Sequence, residues 1–403
     1  MMDVSMSLFV IAFIISLGFF ADLFFTKTKI PDVIWLIVFG MLIGPMFKIV
    51  DQEALFGIAP LFTTIAIAII LFESGRKMKF GELLQDATSA IVFMIANLVM
   101  AILLVALGMT LIFGMGFQKS LLLGVIVAGT SSPMIVTVVD RLGIGIKSKA
   151  MMSIESILNS PIVIVIGLVL MNNLSTSQSM IGLNISSDII KSFIVSITCG
   201  LLIGIAWAKA LDNLQKYAYH HMMTISVLFL TYILSQYLGG SGALASLTMG
   251  LTLGNIAAFS IVLRKKIIVL TKETKDFNAM IAFVIRTFFF VYLGAVAVLN
   301  DYHSIGIGLV LTALLLVARF VVVYPTAAIL KLSKRELLIM GCMIPTGLSA
   351  AVLAVLPFAQ YRIAGTESFV DIVFTIILAT TIFATVSIAT IERTYAKGSM
   401  NKG

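Results

Sequence analysis

Apolar runs long enough to cross a lipid bilayer follow one another along this chain, with little soluble-looking sequence between them. The hydrocarbon core of a bilayer is about 30 Å thick, so a spanning helix needs roughly 20 mostly apolar residues. Lipid offers no hydrogen bonds, and a helix satisfies its own backbone, so runs of this length resolve as helices. Composition agrees: 60% of the 403 residues are apolar and 11% charged, against roughly 45–50% and about 25% in soluble domains. The pattern predicts an all-α integral membrane protein and excludes a soluble enzyme or a nucleic-acid-binding domain.

The runs place helices at about 6–26, 31–50, 55–75, 86–114, 118–141, 147–172, 189–209, 222–238, 241–258, 275–299, 303–332, 334–357 and 367–392. Loop charge tests that count of about 13. One set of alternate loops and tails holds 21 lysines and arginines and the other set four: Lys48, Lys119, Lys191 and Arg362. The excess side is cytoplasmic. The chain is therefore expected in the cell membrane as a multi-pass protein, N-terminus outside and C-terminus in the cytoplasm. The formal net charge of +8 is a signal of topology. The first run lacks a basic lead and a small-residue cleavage site, so it reads as a retained helix. Residues 397–403 are too few to fold, and the whole of 1–403 reads as a single transmembrane domain without a soluble regulatory domain. Cys199 and Cys342 sit in apolar runs as small core residues. Three histidines without cysteine spacing predict neither a structural metal site nor a cofactor.

Two helices carry polar breaks. The fifth is interrupted at Gly129-Thr130-Ser131-Ser132-Pro133 and the twelfth at Pro345-Thr346-Gly347-Leu348-Ser349. With helix 7 (189–209) as a linker, each is the fifth member of a six-helix unit, about 6–172 and about 222–392. Seven helices separate equivalent members, so the units have opposite orientation. Interrupted helices at matching positions of two halves point to a transporter's binding site. Small and hydroxyl residues are also ordinary in packed membrane helices.

A charge inside the membrane costs roughly 2.5–3.5 kcal/mol on insertion scales, so it serves a function or a partner. Glu155, Arg286 and Arg319 fall near the middle of their helices, and Glu73 falls near the cytoplasmic end of helix 3. Glu155 and Asn159 share a face, flanked by Ser156 and Ser160. Such hard oxygen ligands suit a small monovalent cation, and the break at Thr130, Ser131 and Ser132 offers more. Glu155 with Arg319 equally reads as a buried pair that fixes helix packing, and Glu73 as an interfacial residue near Arg76 and Lys77.

At these residues the chain resembles the monovalent cation/proton antiporters, in their sodium/proton exchanger branch. Ile30-Pro31-Asp32 through Gly40 and Gly44-Pro45, Leu71-Phe72-Glu73-Ser74-Gly75, Phe288 through Gly294, and Glu155-Ser156 followed by Asn159 with Arg319 downstream carry the resemblance. It implies an NhaA-like antiporter fold: about 13 transmembrane helices, two inverted six-helix repeats, crossed broken helices 5 and 12, and an elevator-like motion. It also implies a homodimer that exchanges Na+ or K+ for H+. On this resemblance Glu155 and Arg319 form a salt bridge beside an ion held by Ser156, Thr130 and Ser131, with Glu73 lining the path. The family's pattern has Asn-Asp where this chain has Asn159-Ser160. It has an Asp where this chain has Ser132, and an Arg where it has Thr346. Exchange needs a group that takes a proton or a cation in turn, and a hydroxyl does not titrate near neutral pH. The role therefore falls to Glu155, once loosened from Arg319, or to Glu73, which is expected to carry no such restraint. A family member not coupled to protons (a uniporter, an anion carrier using Arg286 and Arg319, or an inactive sensor) is the alternative. Gly239-Gly240-Ser241-Gly242 spells a serine-protease-like motif, but a nucleophilic serine needs a base. His220, His221 and His303 lie in or beside loops, so the motif reads as a tight turn.

Overall fold

A computed structural model describes residues 31–47, 52–78, 87–175, 183–214, 220–257, 272–296 and 301–400, with Tyr217 and most of 12–24. The described part of the first predicted helix is helical. The loop cations Lys27, Lys29, Lys48, Lys79, Arg264, Lys265 and Lys266 lie outside the described residues.

The helices are α1 (Asp32–Met41, continued by a π-turn Leu42–Met46), α2 (Gln52–Lys77), α3 (Ala87–Leu111), α4 (Phe117–Val127), α5 (Ser132–Arg141), α6 (Ile146–Ser175) and α7 (Leu183–Leu214). They continue with α8 (His220–Tyr237), α9 (Gly242–Gly254), α10 (Lys272–Val296), α11 (Tyr302–Leu330), α12 (Lys334–Cys342), α13 (Leu348–Ala359) and α14 (Phe369–Met400). Among the described residues, six helices are long and apolar enough to cross a membrane, and five shorter ones are also apolar. The run expected as one helix over 118–141 is two, α4 and α5; the run over 334–357 is likewise α12 and α13. A proline in the first turn of α5 explains the restart there, because its missing N–H would be unbonded in any case.

The chain divides into two compact units. One comprises residues 1–59, 86–171 and 287–403; the other comprises 60–85 and 172–286. In the first unit, an apolar cluster from Phe93, Ile135, Met151, Val323, Ile339 and Met340 joins α3, α5, α6, α11 and α12. Helix packing in lipid relies on close approach, which small residues permit. A Cβ on Gly40 would lie 2.2 Å from Val291 O, and one on Gly44 would lie 2.3 Å from Ala295 O. The motif glycines of α1 are therefore the points where it touches the end of α10.

The N-terminal turn of α12 is tied to its neighbours by two charged side chains. Ser333 and Glu336 form a reciprocal capping box. The Glu336 carboxylate also accepts from Gly145 N–H at 3.0 Å and Ser148 Oγ at 2.9 Å, at the start of α6. Partial burial pushes this carboxyl up, but the hydrogen bonds from Ser333, Ser148 and Gly145 outweigh it and hold it below the usual range. Arg335 donates to Gly143 O at 2.9 Å and pairs with Glu392 of α14 at 2.6 Å.

In the second unit, α9 is the helix its neighbours approach most closely. A Cβ on Gly250 would lie 2.0 Å from Phe72 O, and one on Gly200 would lie 2.4 Å from Ala245 O. Asn255 Nδ2 donates to Met78 O at 2.7 Å, closing the C-terminal end of α2 onto α9. The Gly239–Gly242 segment is a turn: Gly239 has φ +81°, and Ser241 caps α9 through Leu244 N–H.

Candidate functional site

The site is built where two helices fail. Helix α4 ends at its C-cap Ala128 and residues 129–131 run without helix to α5, and 343–347 likewise run without helix from α12 to α13. Four helix ends thus leave backbone groups without intrahelical partners. The two segments satisfy part of this need in each other. Thr130 and Thr346 form an antiparallel bridge, and Ser131 N–H donates to Pro345 O at 2.7 Å. Glycine permits the approach: a Cβ on Gly347 would lie 2.8 Å from that of Ser131. Thr346 N–H is taken up by Thr380 Oγ1 of α14 at 3.1 Å.

Helix α6 supplies the remaining partners. Asn159 Nδ2 donates to Ala128 O at 2.9 Å and to Thr130 Oγ1 at 3.4 Å. Ser160 Oγ donates to Thr130 O at 2.9 Å and accepts from Ser349 Oγ of α13 at 3.4 Å. Ser132 Oγ donates to Ser156 O, and Ser156 Oγ donates to Ser153 O at 3.0 Å. All these groups are neutral.

One turn below Asn159 lies the ion pair. Glu155 is 0% exposed and Arg319 1%. Glu155 Oε1 accepts from Arg319 Nη1 and from Asn97 Nδ2, the latter at 2.7 Å. Arg319 is held twice more: its Nε donates to Met340 O at 2.8 Å, and its guanidinium lies 5.0 Å from the Phe93 ring centre. Met340 is in the last turn of α12, so a cation there also meets the negative end of that helix. Three polar atoms of this cluster are buried without a hydrogen-bond partner: Glu155 Oε2, Asn159 Oδ1 and Arg319 Nη2.

The structure thus brings together Thr130, Ser131, Ser132, Glu155, Ser156, Asn159, Ser160, Arg319, Thr346, Gly347 and Ser349, all in the first unit. Glu73 and Arg286 belong to the second. Glu73 was expected unrestrained, and here the structure differs. It is buried, accepts from Arg76 Nε at 2.8 Å and Nη2 at 2.6 Å, and pairs with Lys77 at 3.2 Å. These partners stand three and four residues on along the same helix, which is the spacing that brings side chains together. Arg286 lies 5.5 Å from the ring centre of Phe283.

Asn97, Phe93 and Thr380 were not foreseen. Asn97 had a signal: it is the one amide side chain in a long apolar helix, and polar side chains there seek partners. Phe93 and Thr380 had none, since phenylalanine (28 in the chain) and threonine recur throughout the apolar runs.

Comparison with known proteins places this geometry. The family model for "sodium/hydrogen exchanger, transmembrane" matches residues 9–393. Among curated relatives, the Na(+)/H(+) antiporter ApNhaP of Aphanothece halophytica is 24% identical over 66% of this chain and 50% of its own length. The K(+)/H(+) antiporter NhaP of Alkalimonas amylolytica is 23% identical over 62% of this chain and 44% of its own length. This chain therefore spans about half the length of those two. Na(+)/H(+) antiporter 1 of Methanocaldococcus jannaschii is 24% identical over 82% of this chain and 78% of its own length. The solved structure of the sodium proton antiporter MjNhaP1 from that organism superposes with a TM-score of 0.78 at 22% identity. It covers 97% of this chain and 99% of that one, a likeness of fold. The chain is a multi-pass membrane protein and belongs to the transmembrane sodium/hydrogen exchanger family.

Proposed function

We propose that this protein exchanges a monovalent cation, Na+ or K+, for protons across the cell membrane by alternating access. The observation that carries the proposal is the pair of buried acceptors without partners, Glu155 Oε2 and Asn159 Oδ1, one turn apart on α6. They stand beside a helix break lined with hydroxyls and carbonyls. Carbonyl and carboxylate oxygens with hydroxyls are the donor set an alkali cation takes. The names of relatives, sodium and potassium antiporters, agree with that donor set.

In this proposal Glu155 binds cation and proton in turn. When Glu155 takes a proton, Arg319 keeps Met340 O and the Phe93 ring, so the cation side of the pair stays anchored. Asn159, Ser160, Thr130 and Ser156 complete the ion's shell, with Ser131, Ser132, Thr346, Gly347 and Ser349 shaping the break. Glu73 is held by Arg76 and Lys77. The proposed architecture is the inverted repeat with crossed broken helices, about 13 spans, N-terminus outside, C-terminus cytoplasmic, in a homodimer.

Purified protein in vesicles carrying an internal pH dye tests this. Adding sodium, potassium or lithium outside should move protons, Glu155→Gln should abolish the signal, and Glu73→Gln should keep it. No cation-evoked proton movement at any pH would refute the proposal. A second reading, transport not coupled to protons, rests on Ser160: the hydroxyl facing Thr130 O and Ser349 neither ionises nor titrates near neutral pH.

A further inference from the structure

The fixed charges of the site sum to zero, and this sets which of its states cross the membrane. Among the described residues of the first unit, the buried charged side chains are Glu155 and Arg319, and their charges cancel. Asn159, Ser160, Thr130, Ser132, Ser349 and Asn97 add none. The empty site is therefore neutral. With a monovalent cation bound beside ionised Glu155 the site carries +1. With a proton on Glu155 it also carries +1, because Arg319 remains. The two loaded forms match, so cation exchanges for proton one for one without net charge movement. The empty form is the least charged of the three. Net charge is what a low-dielectric barrier opposes, so nothing electrostatic holds the empty site on one side.

We infer that exchange in this protein slips: the empty site recrosses, and the protein also works as a voltage-driven uniporter for the cation it exchanges. The inference rests on the proposed exchange. It adds an activity that exchange alone does not include, since each slip cycle carries one positive charge inward or outward with no counter-ion. A carboxylate at position 160 would reverse the order. The empty site would carry −1 and the loaded forms zero, so the empty form would be the one held back. Ser160, which donates to Thr130 O at 2.9 Å, is thus the residue that sets how tightly transport is coupled.

The test uses the reconstituted chain with tracer sodium or rubidium. Strong buffer at equal pH on both faces holds the pH gradient at zero, no protonophore is added, and an inward thiocyanate gradient makes the interior negative. One charge moved across 100 mV corresponds to a roughly 50-fold accumulation at equilibrium, whereas one-for-one exchange gives a ratio of one. Accumulation far above one, in the same wild-type vesicles that show pH-driven exchange, supports the inference, and the ratio of accumulation to exchange should fall in Ser160→Asp and hold in Ser160→Asn. A wild-type ratio of one alongside working exchange overturns it, as does a Ser160→Asp variant that accumulates as much as wild type. No cation movement by either route overturns the exchange proposal itself and this inference with it.

Discussion

Removing the Glu155 carboxylate should expose how Arg319 is kept inside the protein. In Glu155→Ala the guanidinium, 1% exposed in the wild type, keeps Met340 O and the Phe93 ring. It loses its counter-charge, and Asn97 Nδ2 loses its acceptor. Met340 and Phe93 act equally in wild type and variant, so they cancel from the difference. Breaking a buried pair from one side costs about 3–5 kcal/mol, and the orphaned Asn97 amide adds about 1 kcal/mol. The chain has two tryptophans, Trp35 in the first unit and Trp207 in the second, so thermal unfolding in detergent is readable from intrinsic fluorescence. Glu155→Ala should melt well below wild type. The volume-matched double variant Glu155→Leu/Arg319→Met should recover to within about 1 kcal/mol or exceed wild type, and should carry no cation. A Glu155→Ala protein that melts with wild type would refute the argument that Arg319 depends on this carboxylate. A double variant as unstable as the single one would refute the argument that the cost is electrostatic.

Other perturbations address the frame. Thr380→Val leaves the buried Thr346 N–H without its acceptor and should cost about 1–3 kcal/mol, while Thr380→Ser should restore stability; melting temperatures decide. Gly250→Ala places a methyl 2.0 Å from Phe72 O and should cost about 1–3 kcal/mol by overpacking, read as a lower melting point and a smaller yield of monodisperse protein. Glu336 is held below its ordinary range by Ser333, Ser148 and Gly145 against the upward push of burial. Its contribution is therefore present at neutral pH, above the unfolded carboxylate's range, and is lost as pH falls through the folded value. Glu336→Gln should cost about 1 kcal/mol at neutral pH and should flatten the decline of melting temperature between roughly pH 6 and pH 3.

Much of this was legible in the chain because lipid enforces simple rules. Apolar run length gave the helices, and polar breaks marked where they stop, since backbone freed inside a membrane must find partners. Glu155 with Asn159 followed from helical spacing, and Arg319 from the cost of a lone charge. The failure at Glu73 is instructive. Its restraint comes from Arg76 and Lys77, whose spacing marks them as neighbours of Glu73 but does not show that both fold back onto its carboxylate. The mutual pairing of the breaks was not legible in the residues, because Thr130 and Thr346 are ordinary threonines until the fold brings their backbones together. Asn97 and Thr380 share that difficulty: each acts through a single hydrogen bond to a partner distant in sequence.

The Thr130–Thr346 bridge has a consequence for biosynthesis. Residue 130 reaches the membrane roughly two hundred residues before residue 346 is made, some tens of seconds at about 5–20 residues per second. Through that interval Ser131 N–H has no Pro345 O to meet, so the gap between α4 and α5 enters the bilayer as a half-built joint. It must stay hydrated or sheltered by the insertion machinery until α12 and α13 arrive. The C-terminal third of the chain is thus the part that seals the N-terminal half. A chain halted before residue 346 should keep its early helices and remain open at residues 128–131.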